Sequence, residues 1–83
     1  MTETELLERV RSILVREFEL DPGQVTSSAR LVDDLDLDSI DGVTIVVRLE
    51  ALLHVSITDE EIQAMTTVGD IVTALAARTD GTR

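Results

Sequence analysis

The fold turns on the stretch Leu31-Val32-Asp33-Asp34-Leu35-Asp36-Leu37-Asp38-Ser39-Ile40-Asp41-Gly42-Val43-Thr44-Ile45-Val46-Val47. Its last six residues, Gly42 to Val47, are rich in β-branched side chains and by propensity favour a strand. Its first half alternates leucine with aspartate, a pattern that also suggests a short strand. Three features outweigh both. Asp38 is a good helix N-cap, and Asp41 three residues on makes an acidic version of the capping box. Apolar residues continue through Leu49, Leu52 and Leu53, and a segment of about four turns is long for a strand. Val46, Leu49 and Leu53 also share one helical stripe. The spacing therefore predicts a helix over roughly 39–53. Before it comes an ordered loop, pinned by Leu31, Val32, Leu35 and Leu37.

Upstream, Thr2 and Glu5 have capping-box spacing. Leu6, Leu7, Val10, Ile13, Leu14 and Phe18 then recur at helical steps, with Arg9, Arg16 and Glu17 on the other side. This first helix should end near Leu20, because Asp21-Pro22-Gly23 is a turn signal. Residues 21–38 then form a long connection, and long connections in small domains tend to be functional. Downstream, Thr58 and Glu61 open a short helix through about Ala64. Thr67 caps a last one with Asp70 at its third position, and Val68, Ile71, Val72 and Leu75 form its buried stripe. The expected fold class is all-α: a small four-helix bundle of three main helices plus one short one, with the long loop between helices one and two. Residues 1–83 read as a single domain with a frayed tail over 79–83.

The composition limits what such a bundle can do. Eighty-three residues with 43% hydrophobic content suffice for one small core. A net charge of −10 repels phosphates, and Phe18 is the lone aromatic, too little for bases to stack on, so nucleic acid is not an expected partner. The absence of cysteine rules out a disulfide scaffold, a thiolate zinc site and a cysteine nucleophile. The apolar run from Val43 stops at Arg48, far short of the ~20 residues a membrane span needs. The acidic start has the wrong charge for a targeting signal. The expectation is a cytoplasmic, monomeric protein with no membrane contact.

The chemistry centres on Ser39. With Asp38 as N-cap, Ser39 stands in the first helical turn, beside backbone N–H groups without partners inside the helix. A phosphate ester on its oxygen would be favoured by about 0.3–1 kcal/mol at an exposed helix end. The competing reading is simpler: a serine at a helix start is usually a cap.

The stretch from Leu31 to Asp41 resembles the modification loop of acyl carrier proteins, in which Asp-Ser-Leu opens the second helix. Ile57-Thr58-Asp59-Glu60-Glu61 is similar to that family's start of helix three, and Met65-Thr66-Thr67-Val68-Gly69-Asp70 to its entry to helix four. The amphipathic first helix and the Asp21-Pro22 turn also fit, so the resemblance spans roughly residues 3–77. It implies a four-helix carrier bundle without catalytic activity. Ser39, preceded by Asp38, would carry 4′-phosphopantetheine, whose thiol tethers acyl groups as thioesters. The implied partners are a phosphopantetheinyl transferase, a ketosynthase and other acyl-processing enzymes.

Departures from the family pattern carry information. Asp36 stands where many fatty-acid carriers have glycine, Ile40 where leucine is frequent, and Thr58 where proline is common. Fatty-acid carriers often show several acids on the exposed face of helix two. Here that partner-binding face would hold Ile40, Asp41, Thr44, Val47, Arg48, Glu50 and Ala51, with only two acids and one base. Long-range steering by net charge should persist, while local docking shifts toward apolar contact. The resemblance thus points to polyketide or aryl-polyene synthesis as well as the fatty-acid type. By position, Val46, Leu49, Ile57, Ile62, Met65 and Ile71 are candidates to line a pocket for the acyl chain, although all of them also read as core.

Other readings are weaker. Asp34, Asp36 and Asp38 have calcium-loop spacing, but the glycine and the final glutamate such a loop needs are Ser39 and Ile45. A hydrolase pairing Ser39 with His54 fails on distance. Fifteen residues on one helix span roughly 22 Å, whereas a nucleophile and its base need about 3 Å. An aminoacyl or peptidyl carrier would more often show a glycine-rich loop before the serine, which is absent. The serious rival is an unmodified acidic helical module that docks on a basic partner, whose function would survive Ser39→Ala.

Overall fold

A computed structural model describes residues 2–81, with side chains through residue 78. The chain forms α1 (Glu3–Phe18), a single 3-10 turn (Pro22–Gln24), α2 (Ser39–Leu53), α3 (Asp59–Ala64) and α4 (Val68–Gly81). The fold is all-helical, with no strand among the described residues. Among the described residues the one trace of β-pairing is an isolated bridge between Arg30 and Thr67. Among the described residues no helix is long and apolar enough to cross a membrane.

Each helix start is fixed by local chemistry. Thr2, Asp38 and Thr58 all accept from the backbone N–H three residues on, and Glu5, Asp41 and Glu61 reach back to the cap N–H. Such reciprocal caps satisfy donors that a helix leaves unpaired. Helix α1 ends at Phe18, two residues before the expected Leu20. Glu19 there adopts a left-handed conformation and closes the helix. Asp21 then caps the 3-10 turn with its side chain on the Gly23 N–H. Helix α4 continues through Gly81, past the point where fraying was expected to begin. The last two residues of that expected tail lie outside the described residues.

The core is built from Leu6, Val10 and Leu14 of α1, Ile45, Val46 and Leu49 of α2, Ile62 of α3, and Val68, Ile71, Val72 and Leu75 of α4. Helix α1 packs against α4 and α2, and α2 packs against α3. The β-branched run of α2 is helical because its Ile45, Val46 and Leu49 reach this core at helical spacing, and burial overrides propensity.

The connection between α1 and α2 is ordered. Leu31, Leu35 and Leu37 are buried, whereas Val32 is 66% exposed and takes no part in pinning the loop. Leu31 N–H donates to Thr66 O at 2.8 Å and Val68 N–H to Ala29 O at 3.0 Å, tying the loop to the α3–α4 junction. Leu37 N–H closes back on Leu31 O at 2.9 Å. Gly69 lies so close to this loop that a Cβ there would come 2.8 Å from Ser27 O. The loop therefore delivers Asp38 and Ser39 to the head of α2 from a fixed direction.

Candidate functional site

Ser39 is the first residue of α2 and is exposed. The cap is provided by Asp38, whose Oδ1 accepts from Asp41 N–H at 2.9 Å, while Asp41 Oδ2 accepts from Asp38 N–H at 3.1 Å. The Ser39 hydroxyl is thus released from capping duty, and among the described residues it has no hydrogen-bond partner. This separates the two readings of the serine: the helix is capped without it. Both neighbouring carboxylates are turned onto backbone N–H groups.

A cavity of about 310 Å³ opens directly beside Ser39. Its polar mouth includes Asp38, Ser39 and Gln63, and its apolar wall includes Leu31, Leu37, Ile45, Ile62 and Met65. Gly42 lies in the wall facing α3: a Cβ there would touch Ile62 Cγ1 at 3.5 Å. The absence of a side chain at Gly42 keeps this part of the wall open.

The expected pocket set divides. Ile62 and Met65 line the cavity. Val46, Leu49, Ile57 and Ile71 lie in the packed core and do not reach it. Beyond Ser39 the cavity takes Gly42 and Ile45 from α2, at three-residue steps on one stripe. Sequence reasoning did not assign these to the pocket, nor Leu31 and Leu37, which it read only as pinning the loop. Their signal was proximity in the chain to Ser39 together with alternation in the loop.

The expected docking face divides as well. Ile40 is 76% exposed and Val47 55% exposed. Val43, not anticipated, is 48% exposed and completes a stripe at helical spacing with them. Thr44 is half-buried and donates to Ile40 O at 3.4 Å. Asp41 is held by the cap. Arg48 pairs with Glu17 of α1 at 2.6 Å. Glu50 accepts from Ile57 N–H at 3.0 Å, and so secures the connection to α3. Both charged residues in the second half of that face therefore serve the fold. What α2 offers to a partner near Ser39 is apolar.

His54 ends α2 in the left-handed conformation, at the opposite end from Ser39. Asp34 accepts from Arg30 N–H at 2.8 Å, and among the described residues no cluster of acids or histidine is arranged to hold a metal ion.

Comparison with known proteins agrees with this geometry. Residues 8–75 match the family model described as "Phosphopantetheine attachment site". The chain is 47% identical over 75 residues to acyl carrier protein 2 of Ralstonia nicotianae, covering 90% of this chain and 93% of the relative. It is 37% identical over 76 residues to the acyl carrier protein of Caulobacter vibrioides, with 92% and 97% covered. The solved structure of a candidate acyl carrier protein from Mycobacterium tuberculosis superposes with a TM-score of 0.80 at 30% identity, covering 87% of this chain and 96% of that one.

Proposed function

The chain belongs to the acyl carrier protein family, and on that premise we propose that Ser39 is the residue that bears its prosthetic group. The protein is a carrier and not an enzyme, and the group is 4′-phosphopantetheine. When attached, the group supplies a thiol that holds an acyl chain as a thioester, chemistry that a chain without cysteine lacks. Members of this family meet a phosphopantetheinyl transferase and acyl-processing enzymes.

The observation that carries the assignment is the Ser39 hydroxyl, exposed and unbonded at the head of a helix that Asp38 already caps. The residues present fit the group. The first-turn N–H groups of α2 favour a phosphate on the serine oxygen. Gly42, Ile45, Ile62 and Met65 give an attached arm or its cargo an apolar recess, closed to one side by Leu31 and Leu37. The loop hydrogen bonds to Thr66 and from Val68 hold the serine at a constant position for each partner. The test is intact-mass spectrometry after incubation with coenzyme A and a phosphopantetheinyl transferase. One group should add to the wild type and none to Ser39→Ala; addition that survives the substitution overturns the assignment.

The pathway reading rests on the outer face of α2. Ile40, Val43 and Val47 make it apolar, and Arg48 and Glu50 are engaged within the fold. Such a face suits a synthase of polyketide or aryl-polyene type better than a fatty-acid enzyme that reads a row of acids; the fatty-acid type is the alternative. A ketosynthase of the dedicated kind would then extend the loaded chain faster than a generic fatty-acid ketosynthase, and Ile40→Ala would narrow the gap. Equal rates with both enzymes would refute the specialisation. The location that goes with this role is the cytoplasm.

A further inference from the structure

Three of the chain's seven arginines line one groove. It lies between α1 and α2, has a volume of about 510 Å³, and holds Arg9, Arg16, Arg48, Glu17, Ile13 and Leu52 in its walls. Arg48 is paired with Glu17. Among the described residues neither Arg9 nor Arg16 forms an ion pair within 4 Å; Glu5, one turn back, attracts Arg9 only at longer range. The groove therefore keeps two guanidiniums outside any close ion pair on a protein whose net charge is −10. Between them is apolar surface: Ile13 stands midway along the same face of α1, and Leu52 opposite it is 45% exposed.

We propose that this groove is a docking site for a partner protein presenting an amphipathic helix, with an apolar side chain set between two carboxylates. The spacing argues for that occupant. Arg9 and Arg16 are seven residues apart, so their bases are separated by about 10.5 Å along α1. Two acids seven residues apart on a partner helix have the same pitch, and the positions midway between them lie on the same face. A second copy of this chain is a poor occupant, because two bodies of charge −10 repel. An anionic amphiphile gathers its charge in one headgroup, whereas the bases of Arg9 and Arg16 stand about 10.5 Å apart along α1.

The position has a consequence for carriage. Arg48 and Leu52 are nine and thirteen residues after Ser39, about 13–20 Å along α2. A partner held in the groove reaches Ala51, one turn below Val47, and leaves the head of α2 with Ser39, Ile40 and Val43 uncovered. One partner can retain the carrier while another works at the serine.

The probe is a stapled, alanine-rich helical peptide with two glutamates seven residues apart and two leucines midway, titrated into the full chain and followed by NMR. Saturable shifts should appear at Ile13 and Leu52. Binding should weaken about five- to tenfold in Arg9→Gln/Arg16→Gln, and strongly at about 1 M salt, where screening falls to about 3 Å. Ser39→Ala should bind the peptide like the wild type, so the proposal stands or falls independently of the attachment site. It is overturned if a glutamine version of the peptide binds equally well, if the shifts appear at Ile40 and Val47 instead, or if millimolar peptide produces none. Self-association in sedimentation that is abolished by the double substitution would also overturn it, by making the groove an interface between copies.

Discussion

At its head, α2 meets solvent: Ser39 is exposed with an unbonded hydroxyl, and Ile40 beside it is three-quarters exposed. At its foot the same helix is fastened on two sides. Arg48 reaches Glu17 of α1, Glu50 holds the Ile57 N–H, and Leu49 between them is fully buried. A carrier needs one end presented and the other anchored. Tying only the foot lets many partners approach the head without any of them having to compete with packing. The head is ordered from its own side by Asp38 and Asp41 and by a loop whose leucines are buried, so presentation does not require flexibility.

The largest expected effect breaks the foot. Leu49→Ala opens a cavity in the core and should cost about 2–5 kcal/mol in urea unfolding. Ile40→Ala at the head should stay within about 0.5 kcal/mol. If the two cost the same, the contrast between the ends is wrong. Next is the cap that frees the serine. Asp38→Ala should cost about 1 kcal/mol, and should slow group addition at Ser39 by more than its stability loss explains, because the hydroxyl would lose its fixed position.

These contrasts were only partly legible in the sequence. The capping pairs Thr2–Glu5, Asp38–Asp41 and Thr58–Glu61 are local, three residues apart, and the structure forms all three. Local chemistry likewise placed α2 over 39–53 against the strand propensity of its valines. The division of its apolar residues was not legible. Periodicity puts Val46, Leu49 and Leu53 on one stripe, but it does not show that Ile45 is buried beside them and turns to the cavity at Ser39, while Val46 and Leu49 do not reach it. The pairing of Arg48 with Glu17 joins residues far apart in the chain, which no window of sequence reveals. Val32 reads with the pinning leucines because it is apolar, yet it stands in the register of Asp34 and Asp36 and faces out with them.

Smaller effects sharpen the picture of the head. Asp36 holds a φ of 58°, the left-handed region that a side chain disfavours. Asp36→Gly should relieve that strain and thin the crowd of acids before Ser39, raising stability by about 0.5–1 kcal/mol. An unchanged or lower unfolding midpoint would contradict this.

The smallest effect lies away from α2 and serves as a reference for acid sensitivity. Asp70, at the start of α4, accepts from the backbone N–H of Thr66 at 2.8 Å and of Thr67 at 3.0 Å. These bonds, Thr66 first, hold its carboxyl below the ordinary value of 3.8. A lowered folded value means that the stabilisation is complete above about pH 4 and is lost as pH falls through the folded value. Wild type and Asp70→Asn should therefore differ near neutrality and converge in acid. Curves that stay parallel to the lowest pH would exclude this source.

The most direct test of the central claim is to locate the attached group. Trypsin cuts after Arg30 and Arg48, giving a peptide of residues 31–48 whose only side-chain hydroxyls are Ser39 and Thr44. After reaction with coenzyme A and a transferase, fragmentation of that peptide should place the added mass on Ser39. Mass on Thr44, or on any other peptide, would contradict the account.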